Sequence, residues 1–141
     1  MVSKDLVTAK LTELAERIAR VRARCPATAT ELASDADAMD IVSFNLMLAV
    51  QLCADIAAHV TSDENWVPAK SLAEGFTRLE EHGVLQAPTA ASLRRAVGLR
   101  NVVAHGYGHV DPAAVLAAAG AGLSDLSQFA SEVAQWLNAQ P

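Results

Sequence analysis

The feature that most constrains the fold is an apolar segment that runs from about Ala36 or Asp40 to Val60. Its apolar residues are spaced so closely that they cover more than one face of a helix: Ile41, Val42, Phe44, Leu46, Met47, Leu48, Val50, Leu52, Ile56 and Val60. A helix that is apolar most of the way round is packed on several sides. The segment therefore predicts one long helix in the centre of a bundle or at a subunit interface.

The segments around this helix also have helical spacing. From Lys4 to Arg24, apolar residues recur every three or four positions, and Pro26 ends the pattern because it lacks a backbone donor. Later helices are predicted to open at the Ser71–Glu74 capping box, at Pro88, at Asp111-Pro112 (with an end at Gly120 and Gly122), and at Ser124 or Asp125. No alternating run predicts a strand, so we expect one all-α domain over residues 1–141, a bundle of five or six helices.

Composition agrees with this fold class. The 141 residues are 52% apolar but only 4% aromatic, which favours packed helices over a β-sandwich. The two cysteines, Cys25 and Cys53, lack the spacing of a metal site or disulfide framework, and we expect two reduced thiols. We see no signal-peptide pattern and no run of about 18 apolar residues, so we expect a cytoplasmic protein that does not enter a membrane.

Four polar side chains interrupt the apolar central segment: Asp40, Asn45, Gln51 and Asp55. Each needs a partner if it is buried, because an unpaired buried polar group costs about 1–3 kcal/mol. For Asn45 and Gln51 we expect structural hydrogen bonds within the core. Asp40 has two interpretations, as the N-cap of the central helix, which we favour, or as a buried partner of a basic residue such as Arg100.

A basic segment interrupts an acidic chain. The whole chain has a formal charge of −5, yet no Asp or Glu occurs from Thr89 to Val110, where Arg94, Arg95 and Arg100 lie. A locally positive surface is where a phosphate-containing ligand binds best. Arginines at this spacing are also typical of a solvated helix face, so charge alone leaves both interpretations open.

The end of the basic segment combines guanidinium and imidazole groups. Asn101 and His105 are four residues apart and share a helical face, whereas Arg100 lies about 140° around the helix from His105. One helix therefore does not place Arg100 beside His105, but two copies that meet across a two-fold axis would. Gly98, which is unfavourable inside a helix, is consistent with a close approach of a second backbone. This pattern predicts a homodimer with a shared cleft.

Such a cleft suits RNA cleavage. The ribose 2′-hydroxyl is an internal nucleophile, histidine transfers protons near neutral pH, and arginine binds a phosphate bidentately while it offsets developing charge. Asn101 would orient the histidine or the phosphate. The four histidines lack the spacing of metal ligands, so we expect no metal. A lone histidine at a helix C-terminus is, however, more often a cap that interacts with the helix dipole.

The stretch Leu99-Arg-Asn-Val-Val-Ala-His-Gly-Tyr resembles the Rx4HxY signature of the HepT-like toxins, with Arg100, His105 and Tyr107 at the three motif positions. These toxins belong to the HEPN superfamily (higher eukaryote and prokaryote nucleotide-binding domain). The pattern from Asp40, Asn45 and Leu46 through Gln51 to Asp55 and Ile56 resembles the long central helix of the family, and residues 68–83 resemble its connecting segment and following helix. The resemblance extends over roughly residues 40–115, and the first 37 residues match only as a helix.

The resemblance implies a HEPN-like bundle and a metal-independent endoribonuclease that acts as the toxin of a toxin–antitoxin pair, without a cofactor. Arg100 and His105 would be the catalytic pair, with Asn101 at the polar position beside the arginine. The implied partner is a minimal nucleotidyltransferase (MNT) antitoxin that transfers AMP to Tyr107, in a complex with a homodimer or a larger assembly. AMP adds bulk and negative charge at the mouth of a cleft that must bind an RNA phosphate. The implied substrate is a tRNA or an mRNA.

Two alternatives and one accessory role accompany this hypothesis. The chain could be a non-catalytic binding or scaffold subunit of a nucleotidyltransferase complex. It could also be a purely structural bundle whose basic helix pairs with acidic residues such as Glu80 and Glu81. For Arg94 and Arg95 we favour an accessory role facing the RNA over a solvated helix face.

Overall fold

The computed structural model describes residues 1–106 and 109–141, and this part of the chain is all-α. Within it, six helices follow one another: α1 (Lys4–Arg24), α2 (Ala29–Ser34), α3 (Ala36–Asp63), α4 (Leu72–Glu81), α5 (Ala87–His105) and α6 (Pro112–Asn138). The predicted bundle of five or six helices is confirmed, and α1 has the bounds that the sequence predicted.

The central helix is α3, as its apolar composition predicted. It packs against α1, α4, α5 and α6, and Val42, Leu46 and Ile56 are almost fully buried. By length and composition alone, α3 and α6 are both able to cross a membrane. More than half of the apolar stretch of α3 is nevertheless buried inside the bundle, which is the environment of a core helix.

The start of α3 differs from both predictions for Asp40. The N-cap is Asp35, whose carboxylate accepts a hydrogen bond from the Ala38 N–H at 3.1 Å, so the prediction that Asp40 caps the helix is wrong. The helix extends one turn further because Asp35 is an effective cap and the residues after it favour helix. Asp40 is exposed and makes no hydrogen bond to Arg100, so the interpretation as its buried partner is also wrong.

The remaining boundaries show which local signals were sufficient. The Ser71 hydroxyl caps α4 by accepting from the Glu74 N–H at 3.1 Å, as predicted, although the Glu74 carboxylate accepts from the Lys70 N–H rather than from Ser71. The predicted break near Gly120 and Gly122 is wrong. Residues 118–122 form a π-helical turn inside α6, so the helix continues past them. The buried residues on either side of this turn, Val115 and Leu123, pack into the same core.

Contacts between the helices place three segments at one end of the bundle. α1 runs antiparallel to α3, since Lys10 lies near Asp55 and Arg17 bonds to Asn45. α3 also runs antiparallel to α5, because Gln51 bonds to Arg100 while residues 39–47 of α3 face residues 103 and 104 of α5. The second half of α1, the first half of α3 and the C-terminus of α5 therefore meet at the same end.

Candidate functional site

The C-terminal part of α5 exposes one continuous stripe. Its members recur every three or four residues and are Arg95, Gly98, Asn101, Val102 and His105. Asn101 and His105 therefore share the exposed face of α5, which confirms the prediction from their spacing. A side chain on this stripe is accessible to a ligand or to a second protein chain.

Arg100 lies on the side of α5 that faces α3, where it is only half-exposed. Its Nε and Nη2 both donate to the Gln51 side-chain oxygen, at 3.1 and 2.9 Å, and its Nη1 donates to the Asn101 oxygen at 3.0 Å. Gln51 is anchored in turn, because its amide donates to the Asp55 carboxylate at 2.9 Å. The guanidinium group is thus fixed before any substrate binds. No hydrogen bond joins it to His105 within the part of the chain that the structure describes.

Gln51 is a functional candidate that sequence reasoning missed. Of the four polar residues of the central segment, we expected structural hydrogen bonds for Asn45 and Gln51, and this is confirmed for Asn45. Asn45 is 3% exposed, donates to the Ile41 carbonyl at 2.7 Å and accepts from Arg17 at 3.1 Å. Gln51 instead orients a motif residue on another helix. The signal that could have identified it is the antiparallel pairing of α3 with the basic helix, which brings residue 51 opposite residue 100.

His105 is the last residue of α5 and is exposed. Gly106 follows it in a helical conformation, and a Cβ atom there would clash with the Val102 carbonyl oxygen. A residue without a side chain is therefore required directly after His105. Tyr107, the predicted modification site, lies outside the described residues.

The other two arginines of the basic segment have different environments. Arg94 donates to the Glu80 carboxylate at 3.1 Å and to the Thr77 hydroxyl at 3.3 Å, so it fastens α5 to α4. This is one of the ion pairs that the purely structural alternative anticipated. Arg95 is exposed and donates to the Ser92 hydroxyl at 3.1 Å, and no described carboxylate lies within 4.0 Å of it. Arg95 is therefore better placed than Arg94 to contact a ligand.

Apolar surface surrounds the motif end. Two large apolar side chains at this end are exposed, Phe44 by 52% and Val102 by 48%. Phe44 lines a cleft of about 420 Å³ together with Asp40, Met47 and Val103. The surface beside His105 thus has the apolar character of an interface.

The remaining histidines do not form a competing site in the described ranges. His82 stacks on Trp66, with ring centroids 3.9 Å apart, and His59 lies on α3. Within residues 1–106 and 109–141, no three His, Cys, Asp or Glu side chains are grouped as metal ligands. Among the histidines, His105 is the one that shares an exposed helical face with the motif asparagine.

Comparison with known proteins identifies the family. A family model described as ribonuclease HepT-like matches residues 14–133 of the chain. The chain belongs to the HepT-like family. The predicted membership of this family is thereby confirmed.

One similar protein is an mRNA nuclease, HepT, of Shewanella oneidensis. It is 26% identical over 125 residues, which cover 89% of this chain and 93% of the relative. The similarity therefore extends over nearly the whole of both HepT-like chains.

Two solved structures show the same fold. One is a tri-AMPylated HEPN toxin of Shewanella oneidensis in complex with an MNT antitoxin, with 24% identity and a TM-score of 0.85 over 93% of this chain and 98% of that one. The other is YutE, a cytosolic protein of Bacillus subtilis, with 12% identity and a TM-score of 0.84 over 97% of this chain and 92% of that one. The predicted HEPN-like bundle is confirmed.

Proposed function

We propose that this HepT-like protein is a metal-independent endoribonuclease and the toxin of a toxin–antitoxin pair, with Arg100 and His105 as its catalytic residues. The observation that carries the proposal is the arrangement at the end of α5. His105 is exposed beside Asn101, while Arg100 is held in a fixed position by Gln51. The similarity to an mRNA nuclease supports RNA as the substrate class.

The chemistry requires few groups from the protein. The ribose 2′-hydroxyl attacks the adjacent phosphorus, the new P–O2′ bond forms, and the P–O5′ bond breaks to leave a 2′,3′-cyclic phosphate and a 5′-hydroxyl. His105 either accepts the proton of the 2′-hydroxyl or donates a proton to the departing O5′, because an imidazole exchanges protons near neutral pH, and water transfers the other proton. Arg100 binds the non-bridging oxygens and stabilises the charge that develops on them. Asn101 keeps one nitrogen of the guanidinium group in place.

The proposed site is shared between two copies of the chain. Arg100 and His105 lie on different sides of α5, so one copy does not bring them together. The exposed stripe is suited to pairing, since Val102 is apolar and, apart from the adjacent backbone of α5 itself, no atom of the described residues lies within 4 Å of a Cβ built on Gly98. A second copy packed against this stripe would bring its own Arg100 towards the His105 of the first, in a two-fold dimer.

Three further residues have supporting roles in the proposal. Arg95 contacts the RNA from the exposed stripe, and Arg94 contributes positive charge while it remains paired with Glu80. Asp40 lies in the cleft that Val103 also lines, at the end of the bundle where His105 lies. A carboxylate there would help to orient a ribose hydroxyl or a protonated imidazole, but it repels phosphate.

We further propose that an MNT nucleotidyltransferase partner silences the toxin by transferring AMP to Tyr107. The similar Shewanella toxin is tri-AMPylated in its complex with an MNT antitoxin, which supports this regulation. Tyr107 is two residues after His105 in the sequence. An added phosphate and adenosine so close to His105 would repel and obstruct the RNA backbone.

Cleavage of RNA by the purified, unmodified protein in the presence of a chelator tests the catalytic proposal. Wild-type protein should cut RNA and leave 5′-hydroxyl ends, whereas His105→Ala should lose at least about 100-fold in rate, the usual contribution of a general acid or base. His59→Ala is the matched control and should retain activity. Full activity of His105→Ala, or activity that appears only when a divalent metal is added, would contradict the proposal.

The intact mass of the protein expressed with and without its MNT partner tests the regulation. AMP should be added only in the presence of the partner, and Tyr107→Phe should stay unmodified at that position and keep its nuclease activity. A tight complex with the partner but no cleavage by the unmodified protein would favour the alternative, a non-catalytic scaffold subunit.

A further inference from the structure

The C-terminal part of α1, from Arg17 onward, is another segment without acidic residues. From Arg17 to Thr30 there is no Asp or Glu, but there are four arginines, Arg17, Arg20, Arg22 and Arg24. Arg17, Arg20 and Arg24 are three and four residues apart, so they lie along one face of the helix. Ile18 and Val21 between them are buried in the core, which fixes the helix that carries the arginines.

Two of these arginines line a cleft of about 650 Å³ between α1 and α3. The Arg17 side chain is fixed there, because its Nη1 donates to the buried Asn45 oxygen at 3.1 Å and Asn45 is itself bonded to the Ile41 carbonyl. The Nε atom of Arg17 is buried and has no hydrogen-bond partner. A buried donor without a partner is costly. Arg20 is exposed beside it.

The arginines of this cleft are not consumed by ion pairs. Glu16 and Asp40 also line the cleft, but across the described ranges no carboxylate lies within 4.0 Å of Arg17 or Arg20. Arg78 and Arg94, by contrast, are both paired with glutamates. An anionic ligand at the α1 cleft would therefore not have to displace an existing ion pair.

The α1 cleft adjoins the cleft at the C-terminal end of α5. Asp40 and Phe44 line the α1 cleft, and the same two residues line the cleft that reaches Val103 and Ala104 in the last turn of α5. A chain bound at the end of α5 would therefore cross Asp40 and Phe44 of α3 to reach α1. From Arg17 to Arg24 this path follows about 10 Å of helix, at 1.5 Å per residue.

We propose that the arginine face of α1, formed by Arg17, Arg20 and Arg24, binds the phosphate backbone of the RNA substrate away from the bond that is cut. This inference rests on the proposed ribonuclease function. Guanidinium groups bind phosphates bidentately, and a row of them along one helix face fits a flexible single strand. The α1 cleft lies next to the cleft at the end of α5, and this position favours RNA over an acidic protein segment as the ligand.

Salt-dependent binding of non-cleavable RNA tests the proposal. The probes are a long 2′-O-methyl oligonucleotide and a 2′-O-methyl dinucleotide, each measured by fluorescence anisotropy. Arg20→Gln should weaken binding of the long probe and reduce the slope of log K against log salt by about 0.7 for each lost phosphate contact. Arg24 is also exposed, and Arg24→Gln should likewise weaken binding of the long probe. The dinucleotide, which is too short to reach α1, should be unaffected.

Lys70→Gln is the matched control, because Lys70 is an exposed cation outside this end of the bundle and its substitution changes the charge equally. Equal binding of the long probe by Arg20→Gln and Lys70→Gln would overturn the proposal. So would weakened binding of an acidic partner protein with unchanged RNA binding, since the face would then be a protein interface. If His105→Ala still cleaves RNA while Arg20→Gln weakens binding, the catalytic proposal fails and the arginine face stands.

Discussion

The two halves of α5 have contrasting environments. In the first half, Ala90 and Leu93 are fully buried, and Arg94 is paired with Glu80 on α4. In the second half, Asn101, Val102 and His105 are exposed. The Arg100 side chain in this half is hydrogen-bonded to Gln51 of α3. The first half attaches the helix to the bundle, and the second half presents one face of the helix to solvent.

The beginning of α5 is secured by a carboxylate from a different helix. Gln86 caps α5 without a side-chain bond, but its N–H donates to Glu132 of α6 at 2.8 Å, and the Thr89 hydroxyl donates to the same carboxylate at 2.5 Å. Glu132 is only 7% exposed. A carboxylate at a helix N-terminus also interacts favourably with the helix dipole. We therefore expect substitutions in the second half of α5 to lower activity, and substitutions in the first half to lower stability.

The largest expected effect is on the exposed half. Arg100→Ala should lower kcat/KM for RNA by about 10²–10³-fold, the usual cost of removing a preorganised charge-stabilising donor. Its free energy of unfolding should change by less than about 1 kcal/mol, because the side chain is half-exposed. Arg95→Ala, with the same charge change on the exposed stripe, is the control and should lose much less activity. Unfolding of Arg100→Ala at the temperature of the assay would break the comparison.

The next effect falls on the buried half. Glu132→Ala should lower the free energy of unfolding by about 2–3 kcal/mol, since the partly buried Gln86 N–H and the buried Thr89 hydroxyl both lose a charged acceptor. Urea unfolding measures this loss. Gln128→Ala, which removes only one bond to the same carboxylate, should cost less. Cleavage per folded molecule should not change, and a loss of activity without a loss of stability would contradict the assignment of this half.

A smaller effect is expected at the hydrogen bonds that hold Arg100, in the second half of α5, to Gln51 of α3. Gln51→Ala should slow cleavage about tenfold through misplacement of the Arg100 guanidinium group, a loss smaller than removal of the group itself. Because Gln51 is a positioning residue, kcat should fall while the unfolding midpoint stays near that of the wild type. A variant that loses stability but keeps kcat would show that the bond to Arg100 is only structural.

The smallest effect concerns α4, which packs against the first half of α5. The hydrogen bond from the Lys70 N–H, and then the charge and hydrogen bond of Arg78, lower the pKa of Glu74 below its usual value of 4.5. A lowered pKa stabilises the fold above the unfolded-state pKa, and this contribution is lost as the pH falls through the folded-state pKa. Thermal unfolding from neutral to acidic pH should show a slightly steeper decline for wild type than for Glu74→Gln. Parallel curves would contradict the assignment.

Local sequence signals predicted much of the fold. The bounds of α1 followed from apolar spacing and Pro26, and the cap at Ser71 from its motif. The shared face of Asn101 and His105 followed from helical periodicity alone. These features depend on residues close together in the chain, so one sequence is enough to predict them.

The features that were missed depend on contacts between helices. Gln51 and Glu132 act on α5 from other helices, and their sequence neighbourhoods do not reveal which helix they face. Asp40 was misassigned because several residues before it were also suitable caps. The helix begins directly after one of them, Asp35. The continuity of α6 past Gly122 was missed because the core packs on both sides of the π-helical turn.

The central claim is that two copies complete one cleft, and mixing two inactive variants tests it most directly. Arg100→Ala and His105→Ala, purified separately and then combined, should regain activity because each mixed dimer has one cleft with an intact Arg100 and an intact His105. Random pairing predicts recovery to about a quarter of the wild-type rate. If both variants are folded and form mixed dimers but no cleavage returns, the shared cleft is contradicted.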